Sequence, residues 1–552
     1  MKHFINDRSG IVTEAIDAAV MLGEGKLARL DGYPAIKVVV RTDWDKSKVA
    51  VVSGGGAGHE PAHVGFVGDG MLTAAVVGEI FASPSVDAVL AGILAVTGDA
   101  GCLLIVKNYT GDRLNFGLAA ERARAMGLQV DMVVVADDIA IADAPRPRGL
   151  AGTLFVHKVA GHVARSGATL AAVKEAAQGV ASAVRSLGLS LSSCTIPGQI
   201  AEARMGPDEV ELGLGIHGEP GAEKIAMGPI RELSATIASR LEASLGKSSR
   251  VRIAVALLIN DLGGVPPIEM AVATQSLLGA MKCEVALVFG PERLMTSLDM
   301  KGLSVSALPV DAELLRALLS DVGPAAWPAG RAVTKVIPLP LSSKLETVTH
   351  AASADAPRRR IVEVVCNTLV GLEAELNALD AKVGDGDTGS TFAAAARAIL
   401  ADLELLPFGE PAALCAAISA RLSTVMGGSS GILLSIGVAA MGAAVSDPPD
   451  WPAALRKGVR RIQQYGGADA GDRTMLDALL PAVAALEARD GIIPAAVAAK
   501  YGADRTATMT KARAGRSSYV PEDSLRGVPD PGAVAIAAVF DALASASVTN
   551  RD

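Results

Sequence analysis

Between about Ala325 and Arg360 the chain turns Pro-rich (Pro328, Pro338, Pro340, Pro357), loses its hydrophobic periodicity and ends in Ala351-Ala-Ser-Ala-Asp-Ala-Pro-Arg-Arg-Arg360. Proline fixes φ and donates no backbone hydrogen bond, so such a stretch interrupts helix and sheet alike. The patterns on its two sides belong to different architectures. Before it, apolar β-branched runs at Ile36–Val40, Val49–Val52, Leu103–Val106, Met132–Val135, Ile253–Ile259 and Glu284–Phe289 alternate with Ala-rich helical stretches. That alternation is the mark of an α/β fold. It pauses near Ser186 to Pro207, which predicts two α/β lobes in this half. After the interruption, Ile361, Val365, Leu369, Leu372, Leu376 and Leu379 recur at steps of three or four and trace one helix face. Ala-rich segments follow near 391–406, 411–425, 431–446, 451–465, 474–488, 493–500 and 531–546, so this half reads as all-α. The chain of 552 residues thus divides into a domain at 1–335, a linker at 336–360 and a helical domain at 361–552. Single cores rarely grow past ~250–300 residues, which agrees with the division.

Charge and cysteine usage exclude several classes of function. Lys and Arg number 51 against 59 Asp and Glu, a net charge of −8, and no long basic run tracks a phosphate backbone, so nucleic acid is not an expected partner. The five cysteines lie at least 49 residues apart and form neither a CxxC metal pattern nor a compact disulfide framework. Met1 to Gly10 mixes Lys2, Asp7 and Arg8 with no apolar core, unlike a signal peptide, and a cytoplasmic protein is expected. The most apolar stretch, Gly431 to Val445, is shorter than the ~20 residues that span a bilayer and reads as a buried helix, so no membrane role is expected.

Four constellations can carry chemistry. In Lys48-Val-Ala-Val-Val-Ser-Gly-Gly-Gly-Ala-Gly-His-Glu-Pro-Ala-His63 a strand runs into glycines, Gly56 among them, that let backbone amides approach a ligand beside His59 and His63. It is not a dinucleotide fingerprint, because His59 stands where the third glycine belongs, and a plain tight turn fits it equally. Leu103-Leu-Ile-Val-Lys-Asn-Tyr-Thr-Gly-Asp-Arg113 ends a strand in Lys107 and continues into a turn with Asp112. Ligands of open α/β sheets bind at such strand ends, where Lys107 can hydrogen-bond an oxygen and Asp112 can take a proton from an attacking alcohol; a solvated Lys–Asp pair is the alternative. In Glu211-Leu-Gly-Leu-Gly-Ile-His-Gly-Glu-Pro-Gly221 the glycines around His217 leave its ring approachable, as nucleophilic addition to a carbonyl requires, although a structural histidine also fits.

The fourth is the sharpest. Asn377-Ala-Leu-Asp-Ala-Lys-Val-Gly-Asp-Gly-Asp-Thr-Gly-Ser-Thr391 brings Asp380, Asp385 and Asp387 close together among glycines. Three carboxylates so placed repel unless a cation lies between them, and hard oxygen donors suit Mg²⁺ completed by phosphate oxygens. A structural Ca²⁺ loop is the alternative, but the EF-hand ligand pattern and its terminal Glu are missing. Downstream, Met426-Gly-Gly-Ser-Ser-Gly431 precedes an apolar helix, where free amides favour an anion or simply start the helix. No Walker motif is present, since Gly246-Lys-Ser248 has Leu241 where the first Gly belongs, so any ATP site is of another kind.

Taken together these segments resemble the single-chain, ATP-dependent dihydroxyacetone (glycerone) kinases over nearly the whole chain. The matching stretches are Ser53 to His63, Lys107 to Asp112, Gly213 to Gly221, Val383 to Gly389 and Gly471-Asp-Arg-Thr-Met475, in the order of the family. The resemblance implies an α/β half that binds the ketose and a C-terminal helical barrel that binds ATP and Mg²⁺. It implies that His217 holds the ketone carbon as a hemiaminal, that Gly56, Lys107 and Asp112 hold the hydroxyls with His59 assisting, and that Asp112 is the general base. It places magnesium on Asp380, Asp385 and Asp387. The nucleotide would be lined by Thr388, Gly389, Ser390, Thr391, Ser429, Ser430, Gly466, Met475, Arg516, Asp530, Pro531 and Gly532. A homodimer with exchanged helical domains is also implied.

Two departures touch substrate preference. Ala57 replaces a Ser common in the glycine loop, and Asn260-Asp-Leu-Gly-Gly264 stands where a second Asn is more usual. The alternatives carried forward are a kinase of a four-carbon ketose such as erythrulose, an FAD-splitting lyase that forms cyclic FMN, and a non-catalytic sensor. The presence of every expected catalytic residue on one chain argues against the last.

Overall fold

The computed structural model describes residues 3–141, 144–199, 204–246, 253–342 and 350–548. They form two compact units divided at Pro338 and Leu339. The first carries two six-stranded sheets, and the second is helical throughout.

In chain order the strands are β1 (Leu27–Arg29), β2 (Val38–Arg41), β3 (Ala50–Ala57), β4 (Ala74–Ile80), β5 (Cys102–Lys107), β6 (Val130–Val135), β7 (Arg185–Ser190), β8 (Glu209–Leu212), β9 (Glu223–Ala226), β10 (Ala254–Asp261), β11 (Glu284–Glu292) and β12 (Gly302–Pro309). The first sheet runs β1-β2-β4-β3-β5-β6, parallel across β4, β3, β5 and β6. In register, Val52 of β3 faces Ala74 on one side and Leu104 on the other. The chain therefore turns back across the sheet at β3, and ligands of such sheets collect beyond the carboxyl ends of the strands at that point. The second sheet runs β11-β10-β12-β7-β8-β9 and is antiparallel except for β10 with β11.

Helices Thr153–Arg165 and Leu170–Ala183 bury Leu154, Phe155, Val159, Val173 and Ala177 in one core with Val51, Leu103 and Val133 of the first sheet and Ala256, Leu258 and Leu308 of the second. The opposite face of the first sheet is covered by Val86–Val96 and Thr110–Ala125, and that of the second by Ile230–Ser244 and Pro267–Ala280. Each of the six expected strands is present, and the second sheet opens with β7 where the sequence pattern pauses.

In the helical unit the Asp355 carboxylate accepts from the Arg358 amide at 2.9 Å and caps Ala356–Gly371, so this helix begins inside the stretch read as linker. The stripe from Ile361 to Leu379 spans two helices, Ala356–Gly371 and Glu373–Val383, because Leu372 interrupts them with φ −90° and ψ 0°. The others are Thr388–Ala401, Pro411–Val425, Gly428–Ala444, Trp451–Gly466, Leu476–Glu487, Ile492–Thr506, the short Glu522–Leu525 and Pro531–Val548. Pro531–Val548 is the one helix among the described residues long and apolar enough to cross a bilayer, and its Ala533, Ala535, Ala537, Phe540 and Ala544 are buried in the unit's own core. Gly428–Ala444 departs from the expected buried helix. It buries the small residues Gly431, Ser435, Gly437 and Gly442, with Ser419 and Ser435 in mutual hydrogen bonds, while Ile432 is 46% exposed.

Candidate active site

Strand β3 delivers Gly54, Gly55 and Gly56 to its carboxyl end and leads into His59, while β5 ends on Lys107 beside it. Gly55 has φ +154°, and a Cβ there would stand 2.6 Å from Lys107 Nζ and 3.5 Å from Asp112 Oδ2. Only glycine leaves the ammonium and the carboxylate their places. Gly56 lies against Phe81 and Ala82 just beyond β4. Asp112 sits in the first turn of Thr110–Ala125, where the helix dipole favours a negative charge, and Ser83 Oγ donates to its Oδ1.

His217 reaches the same place from the second sheet, on the loop between β8 and β9. Its ring meets His59 at 4.9 Å, Tyr109 at 4.4 Å and Phe81 at 5.4 Å between centroids, each edge-on. Glu219 grips the loop from within: its Oε2 accepts the His217 amide at 2.9 Å and its Oε1 lies 3.3 Å from Nδ1. Outside, Arg148 donates to the Gly213 carbonyl and to Asp138, and Arg204 to the Gly218 carbonyl and to Glu211. The imidazole is thereby held with Nδ1 toward a carboxylate and its ring against those of His59, Phe81 and Tyr109.

Electrostatics follow from burial. His59, Lys107 and Asp112 are buried, while the His217 side chain is 17% exposed and so approachable. His59 donates from Nδ1 to the Thr296 carbonyl at 2.8 Å, which leaves Nε2 a lone-pair acceptor. Burial, with His217 and Lys107 adding to it, holds that ring well below the usual imidazole range, so it is neutral at physiological pH. Burial also lowers Lys107, and Asp112 partly restores it. For Glu219 burial pushes upward, but the hydrogen bond and charge of His217 and the loop amides prevail and hold it at about 2.

In the helical unit Asp380, Asp385 and Asp387 present oxygens within 4.8 Å of one another. Asp380 is buried, and its Oδ2 accepts the amides of Gly386, Asp387 and Thr388 at 3.0, 3.0 and 3.2 Å. A Cβ on Gly384 would lie 2.3 Å from Asp380 Oδ1, so the loop closes this tightly only with glycine there. Oxygen donors of this number and charge fit Mg²⁺.

Thr388, Gly389, Ser390 and Thr391 form the first turn of Thr388–Ala401, and Ser390 exchanges hydrogen bonds with Asn377. Ser429 and Ser430 start Gly428–Ala444; Gly466, on the last turn of Trp451–Gly466, faces Leu433 of that helix. Met475 lies against Gly532, next to Asp530 and Pro531 at the head of Pro531–Val548. Burial, reinforced by Asp477 and Asp380 and opposed by the Ala533 amide and Arg473, pushes Asp530 up to about 6. Arg516 opens the turn Arg516–Tyr519, and its side chain lies outside the described residues.

The Dak1 domain matches residues 24–326 and the DAK2 domain residues 382–545. The dihydroxyacetone kinase of Citrobacter freundii is 50% identical, over 99% of each chain. The chain belongs to the dihydroxyacetone kinase family. Another relative, a putative 3,4-dihydroxy-2-butanone kinase of Solanum lycopersicum, is 44% identical over 99% of this chain and 98% of its own. The crystal structure of the C. freundii kinase in complex with AMP-PNP and Mg²⁺ superposes with a TM-score of 0.75 at 48% identity, covering 99% of both chains.

Among site residues that sequence reasoning passed over, Tyr109 and Glu219 sit inside the very motifs that mark the site, each two residues along the chain, one after Lys107 and one after His217. Phe81, Thr296, Arg148 and Arg204 carry no local signal, because each acts on the site through a ring face or a backbone carbonyl.

Proposed function

We propose that the protein transfers the γ-phosphoryl group of magnesium-bound ATP to dihydroxyacetone, which it holds on His217 as a covalent hemiaminal. The observation that carries the reading is the convergence of His217, His59, Lys107 and Asp112 from two sheets onto one buried place, on a chain that also carries the three-aspartate cluster.

His217 Nε2 is the nucleophile, since Nδ1 faces Glu219. Its lone pair forms the bond to the ketone carbon, and the C=O π pair moves onto oxygen. The oxygen takes up one proton from water and the ring releases its Nδ1 proton past Glu219 to water, so the proton count is unchanged, the adduct is neutral and no other group leaves. His59 Nε2, with its lone pair exposed to the cluster, accepts a hydrogen bond from the new hydroxyl. Lys107 donates to a substrate oxygen, and Asp112 takes the proton of the terminal hydroxyl as it attacks phosphorus. Asp380, Asp385 and Asp387 would hold Mg²⁺, which supplies charge neutralisation on the phosphates. The nucleotide would lie along Thr388 to Thr391, Ser429, Ser430, Gly466, Met475, Arg516 and Asp530 to Gly532. A homodimer with exchanged helical domains belongs to the same proposal, and sedimentation would read it.

Covalent capture explains selectivity. Glycerol and dihydroxyacetone have nearly the same size and hydroxyl count, and a pocket alone separates such isosteres poorly. Only a carbonyl carbon accepts an imidazole. With dihydroxyacetone labelled with ¹³C at C2, the bound signal in wild type should leave the ketone region for the sp³ region, and His217→Ala should abolish that signal, weaken ketose binding and relax discrimination against glycerol. An unchanged ketone signal in wild type, with undiminished selectivity in the variant, refutes the adduct. The tomato relative's name points to a four-carbon ketone, so erythrulose and 3,4-dihydroxy-2-butanone belong in the same assay, and the ratios of kcat/KM decide among them.

A further inference from the structure

His63 has no part in the mechanism above, yet it touches the lysine that does. It precedes the 3-10 turn Val64–Phe66, and its Nε2 stands 2.7 Å from Lys107 Nζ with both residues buried. An ammonium group only donates, so the ring nitrogen that faces it must accept, and the proton of a neutral His63 is on Nδ1. A lysine ammonium has three hydrogens on a flexible stem and no direction of its own. Here one goes to His63 and one to the Gly54 carbonyl at 3.4 Å. The third is left for the side where Gly55 and Asp112 lie.

We propose that His63 is a positioning residue of the ketose site, the acceptor that aims the Lys107 ammonium at a substrate oxygen. The inference rests on the reading of Lys107 as a ketose-binding group. A hydrogen bond accepted from the charged form also favours that form, which matters for a lysine that burial pushes toward neutrality. The groups facing this ammonium are His59 and His63 from the loop after β3, His157 from Thr153–Arg165, and Asp112 from Thr110–Ala125. Burial holds all three histidines below their usual range, His157 at about 3. Asp112 is thus the countercharge, and His63 the neutral acceptor at hydrogen-bond distance.

The test pairs His63→Leu, which removes the acceptor, with His63→Gln, whose amide oxygen can reach the place of Nε2. In His63→Leu the KM for dihydroxyacetone should rise about tenfold, as loss of a hydrogen bond to a charged group predicts, with the KM for ATP unchanged. The alkaline limb of kcat/KM should move to lower pH in the same variant. His63→Gln should restore both. Equal effects in the two variants, or none in either, overturn the proposal, since a packing role would not distinguish acceptor from non-acceptor. Should His63→Leu fail to fold, ¹⁵N-histidine NMR of the wild-type enzyme decides: His63 should keep an unprotonated Nε2 and a protonated Nδ1 from about pH 5 to 8. An imidazolium, or a proton on Nε2, refutes the pairing. Wild-type enzyme without turnover of any ketose would instead sink the functional reading, and the NMR result would still settle the pairing.

Discussion

Replacing Asp385 by asparagine removes one of three carboxylates whose oxygens lie within 4.8 Å of one another, while keeping the shape of the side chain. At that separation two unit charges repel by about 0.9 kcal/mol in a water-like dielectric, the right choice for the exposed Asp385 and Asp387. Asp385 takes part in two of the three pairs, so the substitution relieves about 2 kcal/mol, and about 1 kcal/mol after screening by salt. For a domain near 200 residues that raises the melting temperature by about 2–4 °C when no metal is present. Metal and nucleotide reverse the order. A ligand at 100 times its Kd stabilises by about 2.7 kcal/mol, and the variant forfeits most of this because a carboxamide is a weaker, uncharged ligand. Calorimetric melting of full-length protein should therefore show Asp385→Asn above wild type in EDTA and below it in Mg-AMP-PNP, with MgATP turnover lost and dihydroxyacetone capture retained. A variant destabilised in EDTA, yet stabilised by Mg-AMP-PNP as much as wild type, would show that the three aspartates do not share a cation.

Asp530 gives a pH test. Its folded-state pKa of about 6 lies above the unfolded carboxylate value, so the folded chain binds the extra proton between about 4 and 6 and its stability falls as pH rises through that window. Asp530→Asn should flatten this slope in urea melts and stabilise the nucleotide-free protein above pH 6; an unaltered slope would place the charge elsewhere. The two units should also be separable: chains 1–345 and 355–552, expressed apart and mixed, should each show a cooperative melt and together recover some kinase activity, and failure of both to fold alone counts against the boundary.

The strands were legible where Val, Ile and Leu form runs and lost where small residues interrupt them. Strands β2, β3, β5, β6, β10 and β11 announce themselves by Val, Ile and Leu runs, but β4 reads Ala-Ala-Val-Val-Gly-Glu-Ile and β12 reads Gly-Leu-Ser-Val-Ser-Ala-Leu-Pro. Both are central strands buried almost throughout, as β3 and β5 are, but their Ala, Gly and Ser residues break the apolar run that marks those two. Their small residues are there for contact: Ser306 of β12 meets Ser186 of β7, and a Cβ on Gly78 of β4 would fall 1.9 Å from the Ala82 carbonyl. A buried strand with no wet face is read from an unbroken bulky run alone, and small residues placed for close contact remove that run.

The same reasoning explains which parts of the site could be read. Groups that perform chemistry must be particular residue types in particular backbone settings, so His59, Lys107, Asp112, His217 and the three aspartates lie in glycine-marked segments that stand out in the sequence. The groups that aim them need only reach. Arg148 and Arg204 hold the His217 loop through the carbonyls of Gly213 and Gly218, and Thr296 orients His59 through its own carbonyl. Every residue has a carbonyl, so such partners are chosen by where strands β8, β9, β10 and β11 bring the chain, and nothing local distinguishes them. His63 lies between the two kinds. It stands in the motif beside His59, but its role depends on a distance of 2.7 Å to a lysine on another strand, which spacing along the chain does not encode.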